Sequence, residues 1–216
     1  GLVVILNIIL TYGMETAYMR FAQSNHDKEK IYSTASISLL VTTVFFVIGS
    51  CLFLGSISRA LNYVGKEQYI VYFIFIIAFD TLSTIPFVKL RLENKAFRFA
   101  GFKLIIVGIN VFLNVLGLIV LPIINKKFLN GSLNLNNSVL LNFVFIANVV
   151  SSFVTMILLW KEVITMKWQY QWCLHKEMLI YAFPLMIAGF AGSINEAIDR
   201  ILIKYLTSDT LSPMHQ

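Results

Sequence analysis

Six stretches of about 20 residues or more run almost free of charge, and this constrains the fold more than any other feature of the chain. They are Gly1 to Ala22, Ala35 to Ile57, Tyr69 to Val88, Phe99 to Ile124, Leu140 to Trp160 and Met178 to Leu206. About 20 apolar residues in an α-helix cover the roughly 30 Å hydrocarbon core of a bilayer. Backbone groups in lipid must be satisfied within the segment, and these runs lack the alternation of a membrane barrel strand. The expectation is an all-α, polytopic transmembrane bundle with six spans. Composition agrees: of 216 residues, 58% are hydrophobic and only 13% charged, against about 25% charged in soluble domains. The connections SNHDKEK, Arg59 to Gln68, KLRLENKAFR, NKKFLNGSLNLNN and KEVITMKWQYQWCLHKE are short, so no soluble domain fits between the spans.

A net charge of +6 does not imply nucleic acid, because no basic run is interleaved with surface aromatics. It is better explained by topology. One set of alternate connections holds Arg20, Lys28, Lys30, Lys89, Arg91, Lys95, Arg98, Lys103, Lys161, Lys167 and Lys176; the other holds Arg59, Lys66, Lys126, Lys127 and Lys204. Basic loops stay cytoplasmic, so the first span is expected to run inward and the sixth outward. The chain opens on Gly1 rather than Met and is expected to be a fragment that starts within a helix, with an odd number of helices before it. Cys51 and Cys173 suggest neither a disulfide framework nor a metal site.

Ionisable groups inside a span cost about 2.5 to 3.5 kcal/mol on insertion scales and call for a partner, a watery cavity or a task. Glu15 sits in the apolar TYGMETAYMRF, with Arg20 near its inner end. Arg20 either acts in a cavity or extends to the headgroups, whereas the shorter Glu15 is expected to face a cavity or a cation. Asp80 lies mid-span in FDTLSTIPF, with Ser83 and Thr84 at i+3 and i+4 on the same face. Pro86 leaves the carbonyl near Leu82 without its usual donor. The group reads equally as an ion site or as a buried hydrogen-bond cluster.

Asn110 and Asn114 form one polar stripe, and Asn148, Ser151, Ser152 and Thr155 form another; interhelical hydrogen bonding is the default reading, pore lining the alternative. The densest cluster is Asn195, Glu196, Asp199, Arg200 and Lys204 in FPLMIAGFAGSINEAIDRILIKYL. Glu196 and Arg200 pair at i+4, while Pro184, Gly189 and Gly192 permit bending or close contact. A rise of about 1.5 Å per residue puts Glu196 roughly 6 Å outside the midpoint of its span and Glu15 a similar distance inside its own, a layered arrangement suited to alternating access.

The segments TYGMETAYMRFA, FDTLSTIPFVKLRLENKAFRFAGFKL and FPLMIAGFAGSINEAIDRILIKYL resemble polysaccharide-biosynthesis flippases of the O-antigen type. These belong to the superfamily that includes the multidrug and toxin extrusion exporters. The resemblance implies a two-lobed transporter of which this chain is about helices two to seven, with 1–177 in the first lobe and 178–216 opening the second. It implies a bacterial inner-membrane location, and transport of an undecaprenyl-pyrophosphate-linked oligosaccharide for lipopolysaccharide, capsule or exopolysaccharide. Membrane lipids and other polysaccharide-assembly proteins would be the further partners. Arg20, Arg200, Lys204 and Asn195 would then contact the substrate, and Glu15, Asp80, Glu196 and Asp199 would couple transport to protons or sodium; no other cofactor is implied.

A cation-coupled drug antiporter of the same superfamily is the alternative, and would favour acids and aromatics over Arg. An embedded transferase or polymerase fits less well, because the connections are short and His26, His175 and His215 are scattered.

Overall fold

The computed structural model describes residues 2–24, 27–60, 65, 67–123 and 137–210, and the side chains of these apart from 2, 3, 137, 138, 196, 197 and 199–210. The described residues are 91% helical and contain no strand. The order is α1 (Leu2–Thr11), α2 (Met14–Ser24), α3 (Lys28–Leu52), α4 (Leu54–Ala60), α5 (Glu67–Leu92), α6 (Ala96–Ile123), α7 (Asn137–Leu158), α8 (Trp160–Ile164) and α9 (Trp172–Thr210). Five of these, α3, α5, α6, α7 and α9, are long and apolar enough to cross a membrane.

The helices overrun the apolar runs at charged ends. α3 begins at Lys28 instead of Ala35, and α5 runs from Glu67 to Leu92 instead of Tyr69 to Val88. Hydropathy marks only the part of a helix that meets hydrocarbon; backbone hydrogen bonding continues through the headgroup region, where charged side chains are solvated. The stretch from Gly1 to Ala22, expected as one span, is instead two helices of 10 and 11 residues. The break lies at Tyr12 (φ 36°) and Gly13 (φ 72°), a left-handed pair that no α-helix continues through. It is held by packing: the Tyr12 hydroxyl hydrogen-bonds Ser38 on α3, and Gly13 lies so close to α9 that an added Cβ would be 2.6 Å from the Ala182 carbonyl oxygen.

α5 is the central helix, in contact with α1, α2, α3, α6 and α7, and 56% of its most apolar stretch is covered by protein. α6 is peripheral, with 6% of its stretch covered by the described helices. The main core joins α2, α3, α5 and α9 through Met14, Tyr18, Ile31, Tyr32, Leu39, Ile85, Val88 and Met178. Between α6 and α7 the Asn stripes meet: Asn110 Nδ2 donates to Asn148 Oδ1 at 3.0 Å, and Asn114 Nδ2 to Asn110 Oδ1 at 2.9 Å. The first of these bonds joins the two helices and is worth about 0.6 kcal/mol in a membrane; the second lies within α6 and orients Asn110.

The basic connections converge on one end of the bundle. There Arg98 reaches Glu162 (3.2 Å), Lys167 reaches Glu29 (2.5 Å) and Arg91 reaches Glu15 (2.5 Å). The Tyr32 hydroxyl donates to the Glu162 carbonyl at 2.9 Å, and Ser33 to that of Lys167. Every described ion pair lies at this basic end.

Candidate functional site

Along α5, residues 80, 83, 84, 87 and 91 fall at i, i+3, i+4, i+7 and i+11, so Asp80, Ser83, Thr84, Phe87 and Arg91 share one face. This face lines an open cavity of about 440 Å³, to which Asn7, Glu15, Phe99, Lys103, Ile106, Ser152 and Thr155 also contribute. Four helices besides α5 therefore contribute: α1, α2, α6 and α7. The interruption at Tyr12–Gly13 starts α2 at Met14, which puts Glu15 in its first turn beside the end of α5.

Charges of both signs occupy two levels. Near the basic end the Glu15 carboxylate accepts from the Arg91 guanidinium at 2.5 Å, and both side chains are about two-fifths exposed. Arg91 also lies over the Phe99 ring at 5.6 Å. Roughly 16 Å further along α5, at 1.5 Å per residue, Asp80 sits at the midpoint of the helix. Its Oδ1 accepts from the Ser152 hydroxyl of α7 at 2.9 Å, and it has no ion pair among the described residues. Lys103 approaches from α6, its ammonium 4.3 Å from the centre of the Phe87 ring. Thr81 donates to Asn7 Oδ1 at 3.2 Å, fixing α1 against α5 at the level of Asp80.

Ser83 and Thr84, expected to flank the Asp80 carboxylate, use their hydroxyls on the Phe79 and Asp80 carbonyls one turn back, at 2.7 and 3.1 Å. Hydroxyl side chains in helices commonly bond the i−4 carbonyl. The partner of Asp80 thus comes from across the interface rather than from its own helix.

Of the residues singled out from sequence, Glu15, Asp80, Ser83, Thr84, Ser152 and Thr155 are brought into one cavity. Arg20 is not among its lining residues: it is exposed, with its guanidinium 4.3 Å from the centre of the Tyr181 ring on α9. Asn195 is exposed on α9, away from this cavity. The side chains of Glu196, Asp199, Arg200 and Lys204 lie outside the described residues, as does the connection 125–136.

Arg91 and Lys103 were read from sequence only as loop charges that set orientation. Their signal was present: Arg91 continues the Asp80 stripe by two further turns, and Phe99, Lys103 and Ile106 repeat at i, i+4 and i+7. Among the described residues no three His, Cys, Asp or Glu side chains are grouped as a metal site would need. Comparison of the chain with family models, curated proteins and solved structures returned no match.

Proposed function

We propose that the chain is part of a membrane transporter that carries a phosphate-bearing, lipid-linked sugar unit, the undecaprenyl-pyrophosphate-linked oligosaccharide of surface-polysaccharide assembly, across the bacterial inner membrane. The observation that supports this reading is the cavity among apolar helices that holds Arg91 and Lys103 together with Glu15 and Asp80. A guanidinium presents a planar fork that suits phosphate oxygens, and an ammonium adds a second cation. Glu15 pairs with Arg91 when no substrate is present, and the second acid, Asp80, lines the same cavity as the second cation, Lys103, so that the four charges sum to zero among apolar helices. Arg200 and Lys204 enter this reading through the sequence resemblance alone.

The test is a charge exchange in the full-length protein, read as surface-polysaccharide export at matched membrane abundance. Arg91→Ala is expected to lower export roughly tenfold to a hundredfold, the worth of one hydrogen bond to a charged group. The double exchange Glu15→Arg with Arg91→Glu keeps an ion pair but moves the cation from α5 to α2. Restored abundance without restored export is the expected result; export returning in full with the exchange would reduce the pair to a structural tie.

A cation-coupled antiporter is the second reading, favoured by the Asp80 carboxylate, which among the described residues has no ion pair and accepts from the neutral Ser152 hydroxyl. Uptake of an organic cation into vesicles, with no movement of lipid-linked sugar, would select it.

Orientation has its own check. In a background with Cys51 and Cys173 replaced by Ser, a cysteine at Lys95, on the basic end, should resist an impermeant maleimide in intact cells. One at Glu67, on the exposed start of α5 at the opposite end, should react. The reverse pattern would invert the topology.

A further inference from the structure

A second polar cavity, of about 230 Å³, opens at the basic end and shares no lining residue with the first. Three lysines line it from three places: Lys28 opens α3, Lys89 lies in the last turn of α5, and Lys167 lies in the non-helical segment between α8 and α9. Two carboxylates also line it, but both are engaged. Glu29 pairs with Lys167 at 2.5 Å and Glu93 with Lys95 at 2.5 Å, and Lys95 is not part of the lining. Lys28 has no ion pair among the described residues, and the Lys89 ammonium has only the Tyr32 ring, 4.2 Å away. Among the described residues neither Lys28 nor Lys89 has an ion-pair partner, so the three lysines of the lining outnumber its two carboxylates, both of which are already paired. The hydrogen bond from Lys167 to Glu29 holds that ammonium above its ordinary range, so it too stays charged.

The depth of the cavity follows from the tryptophans. The chain has three, Trp160, Trp168 and Trp172, and all are exposed, by 60%, 70% and 69%. Amphipathic indoles settle at the headgroup level of a bilayer. Lys167 adjoins Trp168, so the cavity it lines lies where lipid phosphates are. Basic pockets between membrane helices at this level suit anionic headgroups, and ammonium groups act there as point charges for phosphate oxygens.

We infer that this cavity binds a phosphate group, and that the phosphate is the headgroup of an anionic phospholipid in the leaflet on the basic side. The site is independent of the transport reading: it needs neither the Glu15–Asp80 cavity nor a substrate that crosses the membrane.

The test uses the full chain purified in a neutral detergent, with its thermal midpoint followed as lipid is added. Phosphatidylglycerol should raise the midpoint in a saturable way, as ligand binding to the folded state requires, and phosphatidylcholine should not. Lys28→Ala and Lys89→Gln should each raise the half-saturating concentration roughly tenfold, the loss of one charge-assisted contact. If Lys89→Gln disturbs Tyr32 and fails to fold, Lys28→Glu at its exposed position serves in its place. Lys161→Ala, at the same end but outside the lining, should leave the response unchanged. Inorganic phosphate acting as well as the lipid, with the same dependence on Lys28, would keep the phosphate site and overturn the lipid source. No response to phosphatidylglycerol, or an equal loss with Lys161→Ala, would overturn the site altogether.

Discussion

Full-length protein carrying Asp80→Asn is expected to reach the membrane at normal abundance yet lose at least roughly tenfold in transport, together with its dependence on an ion gradient. Asn keeps an oxygen that accepts from Ser152, whose hydroxyl is 2.9 Å from Asp80 Oδ1, so the contact between α5 and α7 survives. What disappears is the only carboxylate at the middle of α5, and with it the capacity to take up a proton or to hold a cation. A charge-assisted contact is worth about 1.5 to 3 kcal/mol, which corresponds to roughly ten- to a hundredfold in rate. Ser152→Ala keeps the charge and removes its neutral partner, so its effect on transport should be the smaller of the two. Normal, gradient-dependent transport by Asp80→Asn, with abundance falling only in Asp80→Leu, would make Asp80 a helix-packing group and end the coupling proposal.

The largest effect on folding is expected at Gly13. Gly13→Ala meets two penalties. Its φ of +72° costs an L-residue about 1 to 2 kcal/mol. Its methyl would also lie 2.6 Å from the Ala182 carbonyl oxygen, a backbone atom that moves only if α9 moves, and overpacking of this kind costs about 1 to 3 kcal/mol. Together these amount to roughly 2 to 5 kcal/mol. Gly49→Ala is the control: nothing lies within 4 Å of its added methyl, and Ala in a helix gains up to about 1 kcal/mol over Gly. Denaturation midpoints in detergent should thus move in opposite directions for the two variants. Because Glu15 follows Gly13 by two residues, Gly13→Ala should also separate Glu15 from Arg91. Equal stability of Gly13→Ala and the unaltered chain would mean that α2 and α9 are not in such close contact.

Much of the candidate site was legible, but only one helix at a time. Asp80 was visible as a carboxylate in the middle of an apolar run, and it does occupy the midpoint of α5. Glu15 was expected to face a cavity or a cation and has both. The identity of that cation was not legible, since the partner, Arg91, lies 76 residues away on another helix. Arg20 lies against Tyr181. The partner of Asp80 was hidden in the same way: Ser83 and Thr84 are its neighbours in sequence, but helical geometry sends their hydroxyls to the preceding turn, and Ser152 arrives from α7.

The sequence by itself determined that the chain is helical and suited to a membrane, because long uncharged runs leave the backbone no solvent for its polar groups and the helix satisfies them locally. It also determined which ends of the helices share a sign of charge, and the basic connections do gather at one end. Only the tertiary structure decided where the first apolar run breaks, because the left-handed turn at Tyr12 and Gly13 is set by Ser38 and Ala182 on other helices. Only the tertiary structure, likewise, decided which charges meet. Hydropathy and helical period act over neighbouring turns, whereas the pairing of Glu15 with Arg91 and of Asp80 with Ser152 depends on how separate helices pack against α5.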